Sequence, residues 1–259
     1  MVKYNRVIYV NTSSNKAGNT KAGTGYTLHG DIPYLPDAEA LQALDVYMPA
    51  GAAPAGGWPA VIYVHGGAFV AGDKADGGPS MDYALLALDH GFAMVSVNYR
   101  LVGVPQVALE IDDVWAALRW VAENAGEYGV DKAKLAFLGP SAGASLASVV
   151  GSRANAEGGP KVSAVIGISG AYQVTKSAEY LNTHTPPFYV AHGTKDSAVN
   201  ISASEDFCAA LDKAGIPHVF VAAEGADHCR PMDDPHIYKV LDEMGKLSEA
   251  YEWLKGQIK

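Results

Sequence analysis

Ser141, Asp196 and His228 stand on three separate segments, and each is a residue type with a role in acyl transfer. A serine hydroxyl is a weak nucleophile and needs a neutral imidazole to take its proton during attack. The resulting imidazolium then protonates the departing group, while a carboxylate fixes the imidazole tautomer and stabilises the transient cation. Ser141 lies in Leu135-Ala-Phe-Leu-Gly-Pro-Ser-Ala-Gly-Ala-Ser145, an apolar run followed by Gly-x-Ser-x-Gly and small residues that open a helix. This is the strand–elbow–helix context of a nucleophilic serine, in which Gly139 and Gly143 leave room for a tight turn and close helix–strand approach. Alone, the pentapeptide is a weak signal, because a helix-capping serine after a strand reads the same way.

The elements that must position these groups follow an α/β rhythm. Short apolar runs at 61–64, 92–97, 135–138, 164–168, 188–191 and 218–222 read as strands. Between them, 80–90, 107–125, 142–150 and 202–214 read as helices, with Ser80 as cap and Gly91 as stop of the first. The helix over 107–125 carries Ile111, Val114, Trp115, Leu118 and Val121 on one face. A final helix carries Val240, Met244, Leu247, Tyr251 and Leu254 on one stripe. Leu44–Pro49 alternates apolar and polar residues and ends on proline, so it is expected near a sheet edge. Continuous apolar runs separated by amphipathic helices mean a mostly parallel sheet of about eight strands with helices on both faces. We expect residues 1–259 to form a single domain without a large cap, residues 11–25 being a polar, glycine-rich flexible loop.

In such sheets, catalytic groups sit beyond the carboxyl ends of the strands. Ser141, Asp196 and His228 each follow a strand and pass this filter, in the order Ser, Asp, His expected of the architecture. His218 sits at a strand start and His90 in a helix-to-strand connection, both at the wrong end, and His236 is the reserve base. Asp227 adjoins His228 and cannot easily reach its ring from behind, whereas Asp196 comes from the neighbouring loop. An oxyanion site also needs backbone donors. Tyr63-Val-His-Gly-Gly-Ala-Phe69 follows a strand at the correct end, so Gly67 and Ala68 are expected donors, with Ala142 as the third and Gly66 as the alternate. His65 is expected to orient this loop through hydrogen bonds. Phe69, Tyr99, Leu101, Pro140 and Tyr172 could line a substrate pocket or simply pack.

His65-Gly-Gly-Ala-Phe69 together with Gly139-Pro-Ser-Ala-Gly143 resembles the α/β-hydrolases of the hormone-sensitive-lipase-like carboxylesterases, and more nearly their small uncapped relatives. Those relatives include feruloyl and acetyl esterases and arylformamidases. Leu44-Asp-Val-Tyr-Met-Pro49, Gly72-Asp-Lys74, Asn98-Tyr-Arg100, 113–120 and His192-Gly-Thr-Lys-Asp196 extend the likeness over roughly residues 40–255. Two departures stand out. Ala68 replaces the third glycine of the usual His-Gly-Gly-Gly loop, adding a methyl but keeping the N–H. Phe69 stands where the arylformamidase-like members usually carry Trp.

The resemblance implies a serine carboxylesterase acting on small short-acyl or aryl esters through an acyl-enzyme. The same machinery could cleave an arylformamide or small amide, and a catalytically inactive fold could serve as a ligand receptor. A net charge of −9 disfavours nucleic-acid partners. No cofactor and no metal site are expected, since the histidines are scattered and neither His-Glu-x-x-His nor Cys-x-x-Cys occurs. Cys208 and Cys229 form no disulfide framework, and Cys229, next to His228, is expected as a small packing residue rather than a redox control. No leader or membrane-span pattern is visible, which gives a cytoplasmic expectation.

Overall fold

Apolar runs buried on both faces become adjacent parallel strands, and the helices between them cover the two sides. The computed structural model describes residues 7–10, 25–104, 106–230 and 232–258. The expected loop at 11–25 lies outside the described residues except for Gly25. In chain order the elements are β1 Val7–Val10, β2 Tyr26–Pro33, β3 Ala43–Pro49, β4 Trp58–Val64, α1 Pro79–Asp89, β5 Ala93–Val97, α2 Ala108–Asn124 and β6 Val130–Pro140. There follow α3 Ala142–Ala156, β7 Val162–Ile168, β8 Phe188–Gly193, α4 Ser202–Ala214, β9 His218–Ala223, α5 Ile237–Glu243 and α6 Lys246–Gln257. They build one nine-stranded sheet in the order β1-β2-β3-β5-β4-β6-β7-β8-β9. Strands from β5 to β9 run parallel, and β1, β2 and β3 add an antiparallel flank. Helices α2, α3 and α4 pack on one face and α1, α5 and α6 on the other.

The structure corrects four sequence expectations. Leu44–Pro49 belongs to β3, which is not an edge strand, because β1 and β2 lie outside it. Strand β2 escapes the sequence pattern because Gly30, Asp31 and Pro33 interrupt its alternation. There the ladder shifts register between His29 and Ile32, and Asp31 takes a φ of 57°. Ser80 is not the cap of α1: Pro79 occupies the first turn, where its missing N–H costs nothing, behind Gly78 at φ 135°. The last stripe is not one helix, since Gly245 enters the left-handed region at φ 69° and parts α5 from α6, leaving Met244 exposed.

Among the described residues, no helix is long and apolar enough to cross a membrane.

Candidate active site

Strand β6 delivers Ser141 onto a strained corner, at φ 52° and ψ −119°, directly before α3. Its backbone N–H donates to the Ile168 carbonyl at 2.8 Å, which ties the corner to the end of β7. The flanking glycines are required by contact distances. A Cβ on Gly139 would lie 2.5 Å from the Gly143 carbonyl carbon, and one on Gly143 would lie 1.9 Å from the Val64 oxygen.

The loops after β8 and β9 bring the two partners. His228 Nε2 lies 3.0 Å from Ser141 Oγ, and His228 Nδ1 lies 2.6 Å from Asp196 Oδ2. A carboxylate only accepts, so Nδ1 carries the proton and Nε2 presents its lone pair to the serine hydroxyl. Burial works against the charge on Asp196. The polar contacts of His192, His228 and the Val199 amide outweigh it and hold the carboxyl well below the usual range. A group depressed in this way stabilises the fold above its unfolded pKa, near 3.9, and loses that contribution as pH falls toward its folded value. The stability gap between wild type and Asp196→Asn, measured in urea melts, is therefore expected to narrow as pH falls below about pH 4. A gap unchanged between about pH 4 and about pH 2 would contradict this charge assignment.

Asp227 is not the partner of the His228 ring; it stitches the two loops together. Its carboxylate accepts from the backbone N–H of His228 at 2.7 Å and of Ser197 at 2.8 Å. Arg230 adds a bond to Ser197 Oγ at 2.8 Å while pairing with Asp233. The other histidines stay apart from Ser141. His236 caps α5 by accepting from Tyr238 N–H, His90 stacks on Tyr251, and the His218 ring contacts the Ile216 carbonyl.

The loop after β4 folds against Ser141, so that a Cβ on Gly66 would sit 3.4 Å from Ser141 Cβ. Gly67 at φ 122°, Ala68 at φ 54° and Phe69 at φ 66° make the tight turn, with the Val70 and Ala71 amides both donating to the Gly67 carbonyl at 3.0 Å. Among the described backbone hydrogen bonds outside helices and strands, the amides of Gly67, Ala68 and Ala142 donate to none. Ala142 opens α3, so its N–H has no acceptor within the helix. His65 is buried, stacks on Tyr99 with ring centroids 4.3 Å apart, and donates from Nδ1 to the Gly66 carbonyl at 2.7 Å. Burial lowers its pKa, which keeps the ring neutral.

These groups open on a cavity of about 950 Å³ whose wall includes Gly67, Ala68, Phe69, Pro140, Ser141, Ala142 and His228. Tyr99, Leu101 and Tyr172 are not part of that wall. Tyr99 is fully buried and donates from its hydroxyl to the His65 carbonyl, and Leu101 packs on the core. Tyr172 stacks on Phe207 at 4.1 Å and faces a separate cavity of about 330 Å³. Sequence reasoning missed the wall formed by Asp76 in the loop before α1, by Ser80 and Met81 at the start of α1, and by Arg230. One signal for the α1 part exists: this helix follows the loop after β4, so its N-terminus lies at the same sheet end. Cys229 also borders the cavity, and both cysteines are free. Burial pushes the Cys229 thiol far above its ordinary range, which makes it a poor nucleophile. Among the described residues, no group of three or more His, Cys, Asp or Glu is placed to hold a metal ion.

Residues 44–163 match the BD-FAE family, and residues 168–259 match the prolyl oligopeptidase family. Esterase LipI of Mycobacterium tuberculosis is 36% identical over 146 residues, which cover 51% of this chain and 45% of LipI. Esterase LipQ of the same organism is 29% identical over 74% of this chain and 54% of its own length. The chain thus spans about half the length of these curated relatives. A truncated carbohydrate esterase from gut microbiota superposes with a TM-score of 0.75 at 19% identity, covering 89% of this chain and 96% of that one. Fold and matches together give the chain the α/β-hydrolase fold and a similarity to proteins named as esterases. Within that fold, the similarity is to carboxylesterases of the hormone-sensitive-lipase-like type.

Proposed function

We propose that the chain is a serine carboxylesterase that hydrolyses short-acyl or aryl esters through an acyl-enzyme, with Ser141 as nucleophile, His228 as general base and acid, and Asp196 as its orienting carboxylate. The observation that carries this reading is the continuous Ser141–His228–Asp196 hydrogen-bond chain, 3.0 and 2.6 Å long, facing the cavity beside the 66–69 loop. In the first step Ser141 Oγ attacks the ester carbonyl as its proton passes to His228 Nε2. The Gly67, Ala68 and Ala142 amides receive the developing oxyanion, each such donor being worth about 2.7–4 kcal/mol. The imidazolium then protonates the leaving alcohol. A second pass, with water as nucleophile, releases the acid and restores Ser141. Similarity to esterases by name supports the ester as substrate bond, including an ethyl acetate hydrolase of Pseudomonas putida that is 34% identical over 43% of this chain.

Ser141 faces the cavity beside Pro140, Ala142 and the 66–69 loop. A panel of p-nitrophenyl esters is expected to give the highest kcat/KM with acetyl to butyryl chains. A maximum at palmitoyl would overturn the short-acyl assignment. N-formylkynurenine at matched concentration is expected to be the poorer substrate, and the reverse order would move the assignment to an arylformamidase.

A further inference from the structure

Asp196 has a second buried imidazole beside it. His192, near the end of β8, is fully buried, and its Nε2 lies 3.2 Å from Asp196 Oδ2, the same oxygen that accepts from His228. That nitrogen is also 2.9 Å from the Val199 carbonyl, and the opposite nitrogen, Nδ1, is 2.7 Å from Ser204 Oγ in α4. Both neighbours of Nε2 are pure acceptors. A lone pair there would face a carbonyl and a carboxylate away from water, so Nε2 carries hydrogen. The other oxygen of Asp196 accepts from the Ala198 and Val199 amides at 2.9 and 2.7 Å. The carboxylate is thereby held on both oxygens, and the turn over 196–199 closes back onto His192 through the Val199 carbonyl.

We propose that His192, oriented by Ser204, is a positioning residue for the hydrolysis: it sets the rotamer of Asp196 so that Oδ2 meets the His228 ring. This rests on the reading of Asp196 as the acid partner of His228. A ring present only for packing would need volume there, and an apolar side chain would supply it. The imidazole donates its Nε2 hydrogen to the Val199 carbonyl while that nitrogen sits 3.2 Å from Asp196 Oδ2, and its far nitrogen is itself fixed by a hydroxyl. The chain Ser204–His192–Asp196–His228–Ser141 so links α4 to the elbow through consecutive polar contacts. Charge placement of this kind acts on the transition state more than on substrate binding, because it supports the imidazolium that exists only during transfer.

The test compares His192→Phe, His192→Gln and Ser204→Ala in the full chain on p-nitrophenyl butyrate, with active sites titrated by a fluorophosphonate and Tm recorded for each. Glutamine can return an amide N–H near the position of Nε2. His192→Phe is expected to lower kcat per titrated site about 10- to 100-fold with KM little changed, and His192→Gln to recover most of it. Ser204→Ala, which removes only a hydroxyl, is expected to lower kcat about 3- to 10-fold, and it carries the test if the Phe variant does not fold. Wild-type kcat per titrated site in His192→Phe or Ser204→Ala, whatever their Tm, would overturn the proposal, as would a Gln variant no better than the Phe variant. Ser141→Ala run alongside separates the two levels. Activity retained there defeats the reading of the site, whereas an inactive Ser141→Ala beside fully active His192 variants defeats only this inference.

Discussion

Ser141→Ala is expected to lower kcat on p-nitrophenyl butyrate by about 10⁴- to 10⁶-fold while leaving KM within a few-fold of wild type. In the proposed mechanism Oγ forms the new bond, and among the described residues its imidazole hydrogen-bond partner is His228, so no other side chain at the corner would substitute. The residual rate would come from the amides of the 66–69 loop and Ala142, which polarise a bound carbonyl whether or not a nucleophile is present. The fold should be untouched, because the Ser141 N–H bond to Ile168 and the helix start at Ala142 involve backbone alone. Parallel measurement of kcat, KM and Tm checks this. A loss expressed mainly in KM, or a large fall in Tm, would assign Ser141 to binding or structure instead of chemistry.

The second large effect is structural. Gly143→Ala is expected to destabilise the fold by about 3 kcal/mol or more, since a methyl placed 1.9 Å from the Val64 carbonyl oxygen forces α3 away from β4. For a domain of this size that corresponds to a fall in Tm of roughly 6–12 °C. Activity should fall further than stability, because the same displacement moves Ala142 and Ser141 relative to the 66–69 loop. Gly256→Ala is the control. Gly256 sits in α6 with open space around its Cα, so the added methyl should stabilise by about 0.5–1 kcal/mol through helix propensity. Equal thermal stability of Gly143→Ala and wild type would mean that the elbow is looser than these contacts require.

How far the sequence reveals this arrangement depends on how local each signal is. The strand–glycine–serine–glycine–helix order around Ser141 and the strand-end positions of Asp196 and His228 are local patterns. The strand order then places their loops side by side. The bulge in β2 is hidden because Asp31 owes its place to partners far along the chain: its N–H donates to Asp45, and its carboxylate pairs with Lys74. The break between α5 and α6 rests on a single backbone angle at Gly245, which apolar periodicity does not register. Tyr99 and Tyr172 look like pocket residues because they sit on loops at the catalytic end. Where their rings point is settled by His65 and Phe207, stacking partners each more than thirty positions away in sequence. His192 was legible only as part of a shared motif, since its relation to Asp196 exists through the turn that closes at Val199.

The most direct test of the central claim is to treat the chain with a p-nitrophenyl alkylphosphonate, measure the intact mass, and map the adduct by peptide sequencing. The proposed mechanism predicts one phosphonyl group per chain, located on Ser141, formed in step with loss of esterase activity and absent from Ser141→Ala. Full esterase activity without an adduct, or an adduct on another residue that abolishes activity, would contradict it.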